Sequence, residues 1–134
     1  SKCNARCPMC LRTVSGGKVN PQLPLTELSL EDIQSFFPKE FIRQLKRIYM
    51  CGNYGDPMVA KDTLEIFKYF REVHPQIRLS MFTNGSGRSE KWWQDLAGII
   101  DVCRFAIDGL GATNEIYRRK TNFDTIMKSA QAFI

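Results

Sequence analysis

The sequence lacks any apolar run long enough to cross a bilayer, which excludes a helical membrane span. Its opening, Ser1-Lys2-Cys3, carries no apolar h-region, so no secretory signal is read there. It also lacks a block of five or more like charges. The net charge is +5, but Lys and Arg are scattered among acids, as in Arg71-Glu72 and Glu90-Lys91. That describes a solvated mixed surface and not a specific nucleic-acid face. Long internal repeats and low-complexity tracts are absent. The five cysteines are odd in number, which does not suit a disulfide framework.

What is there is 134 residues, 43% hydrophobic and 25% charged. That is the size and balance of one soluble globular domain with a real core. The start at Ser1 and the end at Ile134 within an apolar pattern predict an excerpt from a longer chain.

Three of the five cysteines, Cys3, Cys7 and Cys10, crowd beside Pro8. This reads as metal binding in a reducing, cytoplasmic compartment. The surrounding segment to Pro24 has no periodicity and is predicted as a loop, most flexible at Ser15-Gly16-Gly17. Ser29-Leu30-Glu31-Asp32 has the form of a capping box opening a helix to about Phe37. Pro38 interrupts it, and Glu40 to Leu45 adds a helical turn.

Strands are predicted at Arg47–Cys51, Ile77–Phe82 and Val102–Ile107, each a short apolar run. Helices are predicted from Asp62 to Val73 and from Ser89 to Ile100. Asn122 caps a last helix to Ile134. The intervening loops are Gly52–Pro57, Thr83–Ser86 and Asp108–Gly111. Strand and helix in alternation predict βαβ units and a parallel α/β sheet. In such sheets ligands bind beyond the carboxyl ends of the strands, where these loops lie. By the same logic the cysteine loop should follow a strand that precedes Ser1.

The spacing of Cys3-Asn4-Ala5-Arg6-Cys7-Pro8-Met9-Cys10 is C-x3-C-x2-C. Closely spaced thiolates on a loop can wrap an iron–sulfur cluster. Three ligands leave one iron of a [4Fe–4S] cluster open, and an open position serves substrate chemistry. Spacing alone leaves two alternatives: a zinc site completed by a ligand such as Cys51, and an electron-transfer iron–sulfur protein.

At these residues the sequence resembles the radical S-adenosylmethionine (SAM) superfamily. Tyr54-Gly55-Asp56-Pro57 looks like the family's Gly-Gly-Glu-Pro motif. Thr83-Asn84-Gly85 looks like its Thr-Asn-Gly, and Phe105-Ala106-Ile107-Asp108-Gly109 like its Ser-x-Asp-Gly. Asn114-Glu115-Ile116-Tyr117-Arg118 is similar to the His-Asp-x-x-Arg segment of the branch that often carries a SPASM or twitch domain. Two departures stand out. Met9 replaces an aromatic residue near the adenine, and Asp56 replaces a glutamate.

The resemblance implies a partial (β/α) barrel with about four β/α units present. Residues 1–134 would then be a radical SAM core domain without its first strand and last units, inactive by itself. It implies a [4Fe–4S] cluster on Cys3, Cys7 and Cys10, with SAM chelating the fourth iron. Gly55, Asp56 and Pro57 would border the SAM amino group, Asp56 directly or through water. Met9 would lie near the adenine, and Thr83 and Asn84 would line the same pocket. Asp108 would face the ribose or the substrate, and Arg118 the SAM carboxylate. The implied chemistry is reductive SAM cleavage to a 5′-deoxyadenosyl radical that abstracts hydrogen from a substrate, with peptides or proteins as candidates. An electron donor such as flavodoxin or ferredoxin is implied as partner.

Blander roles compete at several positions. Asn84-Gly85 is a common turn, and Asp108-Gly109 can be a plain helix approach. Cys51 and Cys103 stand in apolar runs and read as buried small hydrophobes. At least one of Trp92 and Trp93 should be core. His74, beside a proline at a helix end, reads as exposed and not catalytic.

Overall fold

The computed structural model describes residues 2–134. The cysteine loop turns back on itself through an antiparallel bridge between Thr13 and Val19. Ser15 and Gly16 take positive φ at its tip. Helix α1 (Leu30–Phe36) begins on the predicted capping box. Asp32 N–H donates to Ser29 Oγ at 3.1 Å, and Ser29 N–H donates to Asp32 Oδ2 at 2.8 Å. Helix α2 (Lys39–Ile42) follows Pro38.

Strand β1 (Arg47–Met50) leads through a glycine-rich loop to a 3-10 turn at Pro57–Val59, which the sequence reading missed. Then come α3 (Thr63–Val73), β2 (Arg78–Thr83) and α4 (Glu90–Ala97). Strand β3 (Val102–Phe105) and helices α5 (Ala112–Tyr117) and α6 (Phe123–Phe133) complete the chain. Helix α5 was not predicted. It is six residues long and starts at Gly111 with no side-chain cap, so it carries neither start signal nor period. Asn122 does cap α6, accepting from Thr125 N–H at 2.9 Å.

Asp62 stands at the N-cap of α3 but makes no cap bond there. Its carboxylate instead accepts the Leu30 N–H of α1 at 3.2 Å, so it serves the neighbouring helix. First-turn N–H groups of any helix lack an internal partner, and a carboxylate within reach will take one.

The three strands form one parallel open sheet in the order β1-β2-β3. Period two sorts their side chains. Leu79, Met81 and Thr83 of β2 are buried toward the helices, while Arg78 and Phe82 are exposed on the other face. The core under the helices gathers Ile42, Phe67, Ile77, Leu79, Met81, Trp93 and Leu96. Fully burying each such side chain is worth roughly 1.5–3 kcal/mol. Trp93 is fully buried, and its indole N–H donates to Gly87 O at 2.9 Å. Trp92 is half-buried against it, with the rings edge-on at 4.8 Å. His74 is half-buried at the end of α3. β1 is an edge strand, and an apolar cavity of about 680 Å³ lies beside it, between Ile48, Met50, Ile33 and Phe70. Among the described residues no helix is long and apolar enough to cross a membrane.

The two remaining cysteines separate. Cys103 is half-buried against the core, and burial pushes its thiol up to about 12. Cys51 is exposed, contrary to the expectation of a buried small hydrophobe. It stands one residue past β1, where the chain has left the covered face of the sheet.

Candidate functional site

Each strand ends in a loop at the same rim of the sheet, and the cysteine loop is bound to that rim by hydrogen bonds. Asp56 is the hub. It is only 8% exposed. Its Oδ1 accepts Met58 N–H at 3.0 Å and Thr83 Oγ–H at 2.8 Å. Its Oδ2 accepts Asn84 N–H and Asn84 Nδ2–H, both at 2.7 Å. A carboxylate has about four lone-pair positions, so this one has none to spare. Burial raises the Asp56 pKa above the ordinary carboxylate value, against the pull of its donors. The loop after β1 is thereby clamped to the loop after β2.

The same network reaches the cysteines. Asp56 N–H donates to Lys2 O at 2.7 Å. Asn84 Nδ2 also donates to Asn4 Oδ1 at 2.9 Å and lies 3.8 Å from Cys3 Sγ. Asn4 Nδ2 donates to Ser86 O at 2.6 Å, and Ser86 Oγ accepts Asn122 N–H at 2.8 Å. Asn4 and Ser86 were missed from the sequence. Asn4 is a spacer between two cysteines, and nothing in a spacer's identity signals a partner 82 residues away.

A second cluster closes the other side. Arg118 Nε donates to Asp108 Oδ2, and its Nη1 lies 3.9 Å from Cys7 Sγ. Asp108 N–H donates to Asn114 Oδ1 at 2.9 Å. Asn114 is fully buried, and among the described residues its Nδ2 has no hydrogen-bond partner. The backbone of Arg119 accepts Arg6 N–H at 2.8 Å, which holds the cysteine loop against α5. Inside that loop Thr13 Oγ donates to Cys7 O at 3.1 Å, and Cys10 N–H donates to the same carbonyl at 3.1 Å.

Glycine makes the close approaches possible. A Cβ on Gly52 would stand 1.7 Å from Gly55 O, so the turn before Asp56 admits no side chain. Gly85 has φ +70°, and its Cβ would meet the Phe105 ring at 2.4 Å.

The predicted site residues thus fall into three groups. Asp56, Thr83 and Asn84 form one bonded cluster that touches Cys3. Asp108 and Arg118 form another that touches Cys7. Gly55 and Pro57 flank Asp56, and Pro57 opens the 3-10 turn. Met9 is 80% exposed and packs on nothing in the core.

The donor set bears on what the loop can hold. Cys3, Cys7 and Cys10 are free thiols. Burial pushes the Cys3 and Cys7 thiols up, while the Ala5 backbone N–H and Arg118, respectively, pull them back. Binding a soft metal there would displace the protons. Among the described residues no three His, Cys, Asp or Glu side chains converge tightly enough to hold a single ion. A four-iron cluster makes a different demand, because each cysteine takes its own iron and the loop encircles the group. Three thiols on one loop, two with N–H donors beside their sulfurs, fit that demand better than the zinc reading.

Comparison with known proteins supports the resemblance to radical SAM enzymes. No family model matches the chain. A GTP 3′,8-cyclase of Paenarthrobacter nicotinovorans is 29% identical over 99 residues, covering 67% of this chain and 24% of that protein. The chain therefore spans about a quarter of that curated relative. The structure of anSMEcpe with bound AdoMet superposes with a TM-score of 0.66 at 20% identity, covering 99% of this chain and 36% of that one. Its complex with AdoMet and the Cp18Cys peptide gives 0.65 at 21% identity, over 99% and 37%. BtrN in an open conformation gives 0.53 at 28% identity, over 86% and 49%. The two anSMEcpe likenesses speak to the fold. It is an α/β fold with three parallel strands in an open sheet, similar to radical SAM enzymes.

Proposed function

We propose that this chain is the cluster- and SAM-binding part of a radical SAM enzyme. The observation that carries the reading is the joining of the cysteine loop to the rim by two hydrogen-bonded clusters, Asp56-Asn84 at Cys3 and Asp108-Arg118 at Cys7. Cys3, Cys7 and Cys10 would hold three irons of a [4Fe–4S] cluster, with SAM on the fourth. When bound and reduced, such a cluster would supply the single-electron chemistry of reductive SAM cleavage and so of hydrogen abstraction from substrate.

The chain's own groups do the positioning. Asp56 spends its carboxylate on the chain itself, so in this reading it shapes the loop while main-chain carbonyls about Gly55 meet the SAM amino group. Arg118 keeps Nη2 for the SAM carboxylate, beside the bonds it makes to Asp108 and Cys7. Thr83 and Asn84 hold the rim closed from below. Asn114 to Arg118 supports assignment to the SPASM or twitch branch, and a flavodoxin or ferredoxin would deliver the electron in the cytoplasm.

The test is anaerobic reconstitution of the full-length protein with iron and sulfide, followed by dithionite and SAM. A brown protein that yields 5′-deoxyadenosine is expected. A colourless protein that retains zinc and leaves SAM intact would overturn the reading.

A further inference from the structure

The helices cover one face of the sheet, and the opposite face carries three arginines with no carboxylate among them. Arg47 of β1 lies in register beside Arg78 of β2, and Phe82 of β2 beside Arg104 of β3. All three arginines line one cavity of about 560 Å³, together with Tyr49, Ser80 and Phe82. That volume suits a small molecule. The Arg104 guanidinium lies over the Phe82 ring at 4.9 Å, and Tyr49 meets the same ring edge-on at 6.3 Å. Among the described residues no hydrogen bond or ion pair engages the Arg104 guanidinium beside this ring contact.

No carboxylate lines this cavity. Among the described residues, none of the three arginines has an acidic partner within 4 Å. Asp101, the acid near Arg78, accepts from Arg71 Nη2 at 2.9 Å and from Leu79 N–H at 2.7 Å. Its carboxylate is committed to the foot of the sheet. Three cations on one face repel one another, and a bound anion removes that repulsion.

We propose that this face binds a phosphate-bearing small molecule, its anionic group held by Arg104 with Arg47 and Arg78 below. Guanidinium forks match phosphate oxygens two at a time, which lysines scattered on a solvated surface do not. The placement serves the chemistry. Arg104 and Phe82 stand just below the rim, and Asn84 of the SAM-side cluster is two residues beyond Phe82. A ligand anchored on Arg104 has its other end at that rim. As a statement about substrate, the inference rests on the radical SAM reading. As a statement about binding, it stands on the charge of the cavity.

Inorganic pyrophosphate is the probe, titrated calorimetrically into the full-length protein at two salt concentrations. Saturable binding that weakens with salt is expected. Arg104→Gln should weaken it at least tenfold, Arg104→Lys should recover part, and Arg43→Gln, at the end of α2 beside Glu40 and outside this cavity, should leave it unchanged. Circular dichroism confirms that each variant is folded. Absence of saturable binding, equal loss in Arg43→Gln, or tighter binding of an acidic peptide than of pyrophosphate overturns the proposal, the last in favour of a peptide substrate. Formation of 5′-deoxyadenosine is scored on the same preparation. Loss of pyrophosphate binding with SAM cleavage intact defeats this inference alone, and the converse defeats the radical SAM reading alone.

Discussion

Arg118 bridges two groups of different kind: its Nε binds the Asp108 carboxylate while its Nη1 lies 3.9 Å from the Cys7 sulfur. A cationic donor at a cluster thiolate stabilises the added electron on reduction, because it offsets negative charge on the sulfur. Arg118→Met should therefore lower the reduction potential of the reconstituted cluster without SAM present. Redox potentiometry followed by electron paramagnetic resonance reads the shift. An unchanged potential would mean that the Arg118–Cys7 contact has no electronic consequence.

The same residue governs SAM affinity in this reading. Arg118→Ala should weaken SAM binding by about 1.5–3 kcal/mol, the range for hydrogen bonds to charged groups, while iron content is retained. Arg118→Lys should recover part of the loss, since one ammonium cannot reproduce the fork. Arg119→Ala is the control. Its exposed side chain donates to Ser15 O at 3.5 Å, and its backbone bond to Arg6 survives truncation. A larger loss at Arg119 than at Arg118 would reassign the contact.

Cys3, Cys7 and Cys10 should each be required for iron, because losing one thiolate leaves two ligands for the cluster. Cys51→Ala and Cys103→Ala should keep it. Iron analysis and the visible spectrum of each reconstituted variant decide. Loss of iron in Cys51→Ala, with iron kept in Cys3→Ala, would reverse the assignment.

Asp56→Ala removes the acceptor of four donors: Met58 N–H, the Thr83 hydroxyl, Asn84 N–H and Asn84 Nδ2–H. Chemical denaturation should show a loss on the order of 2–4 kcal/mol, since each buried unsatisfied group carries a cost. Asp56→Glu restores the residue of the resembling family but adds a methylene to a filled site. It should cost about 1–3 kcal/mol through overpacking. Wild-type stability in Asp56→Glu would show that the loop has room for the longer acid.

Thiol reactivity should separate the two cysteines outside the loop. Cys103 is pushed up to about 12 from an ordinary value of 9.0, because burial disfavours its thiolate. A pKa raised in the folded state gives stability that is full below pH 9 and is lost as pH rises toward 12. In native protein at pH 8, iodoacetamide should label exposed Cys51 and spare Cys103. Mass spectrometry of the digested protein reads both sites. Labelling of Cys103 in the native protein would contradict its burial.

Local signals decided much of this chain from sequence alone. The spacing of Cys3, Cys7 and Cys10, the Ser29–Asp32 box and the Asn122 cap need only residues within one helical turn or loop of one another. The apolar run that marked β2 is equally local, while its period-two burial appeared only in the sheet. Helix α5 carried no such signal, because Gly111 offers no cap and Asn114 is buried by tertiary contacts. Other features belong to the fold. Asp62 caps a helix 32 positions upstream, and Asn4 bonds to Ser86 across 82 positions. Three of the four donors to Asp56 come from Thr83 and Asn84, because two loops far apart in sequence meet at one rim. Arg47, Arg78 and Arg104 are unremarkable surface cations until parallel pairing sets them on one face. Hydrogen bonds and like-charge repulsion act over a few ångströms, so partners distant in the chain become legible only once the sheet has brought them together.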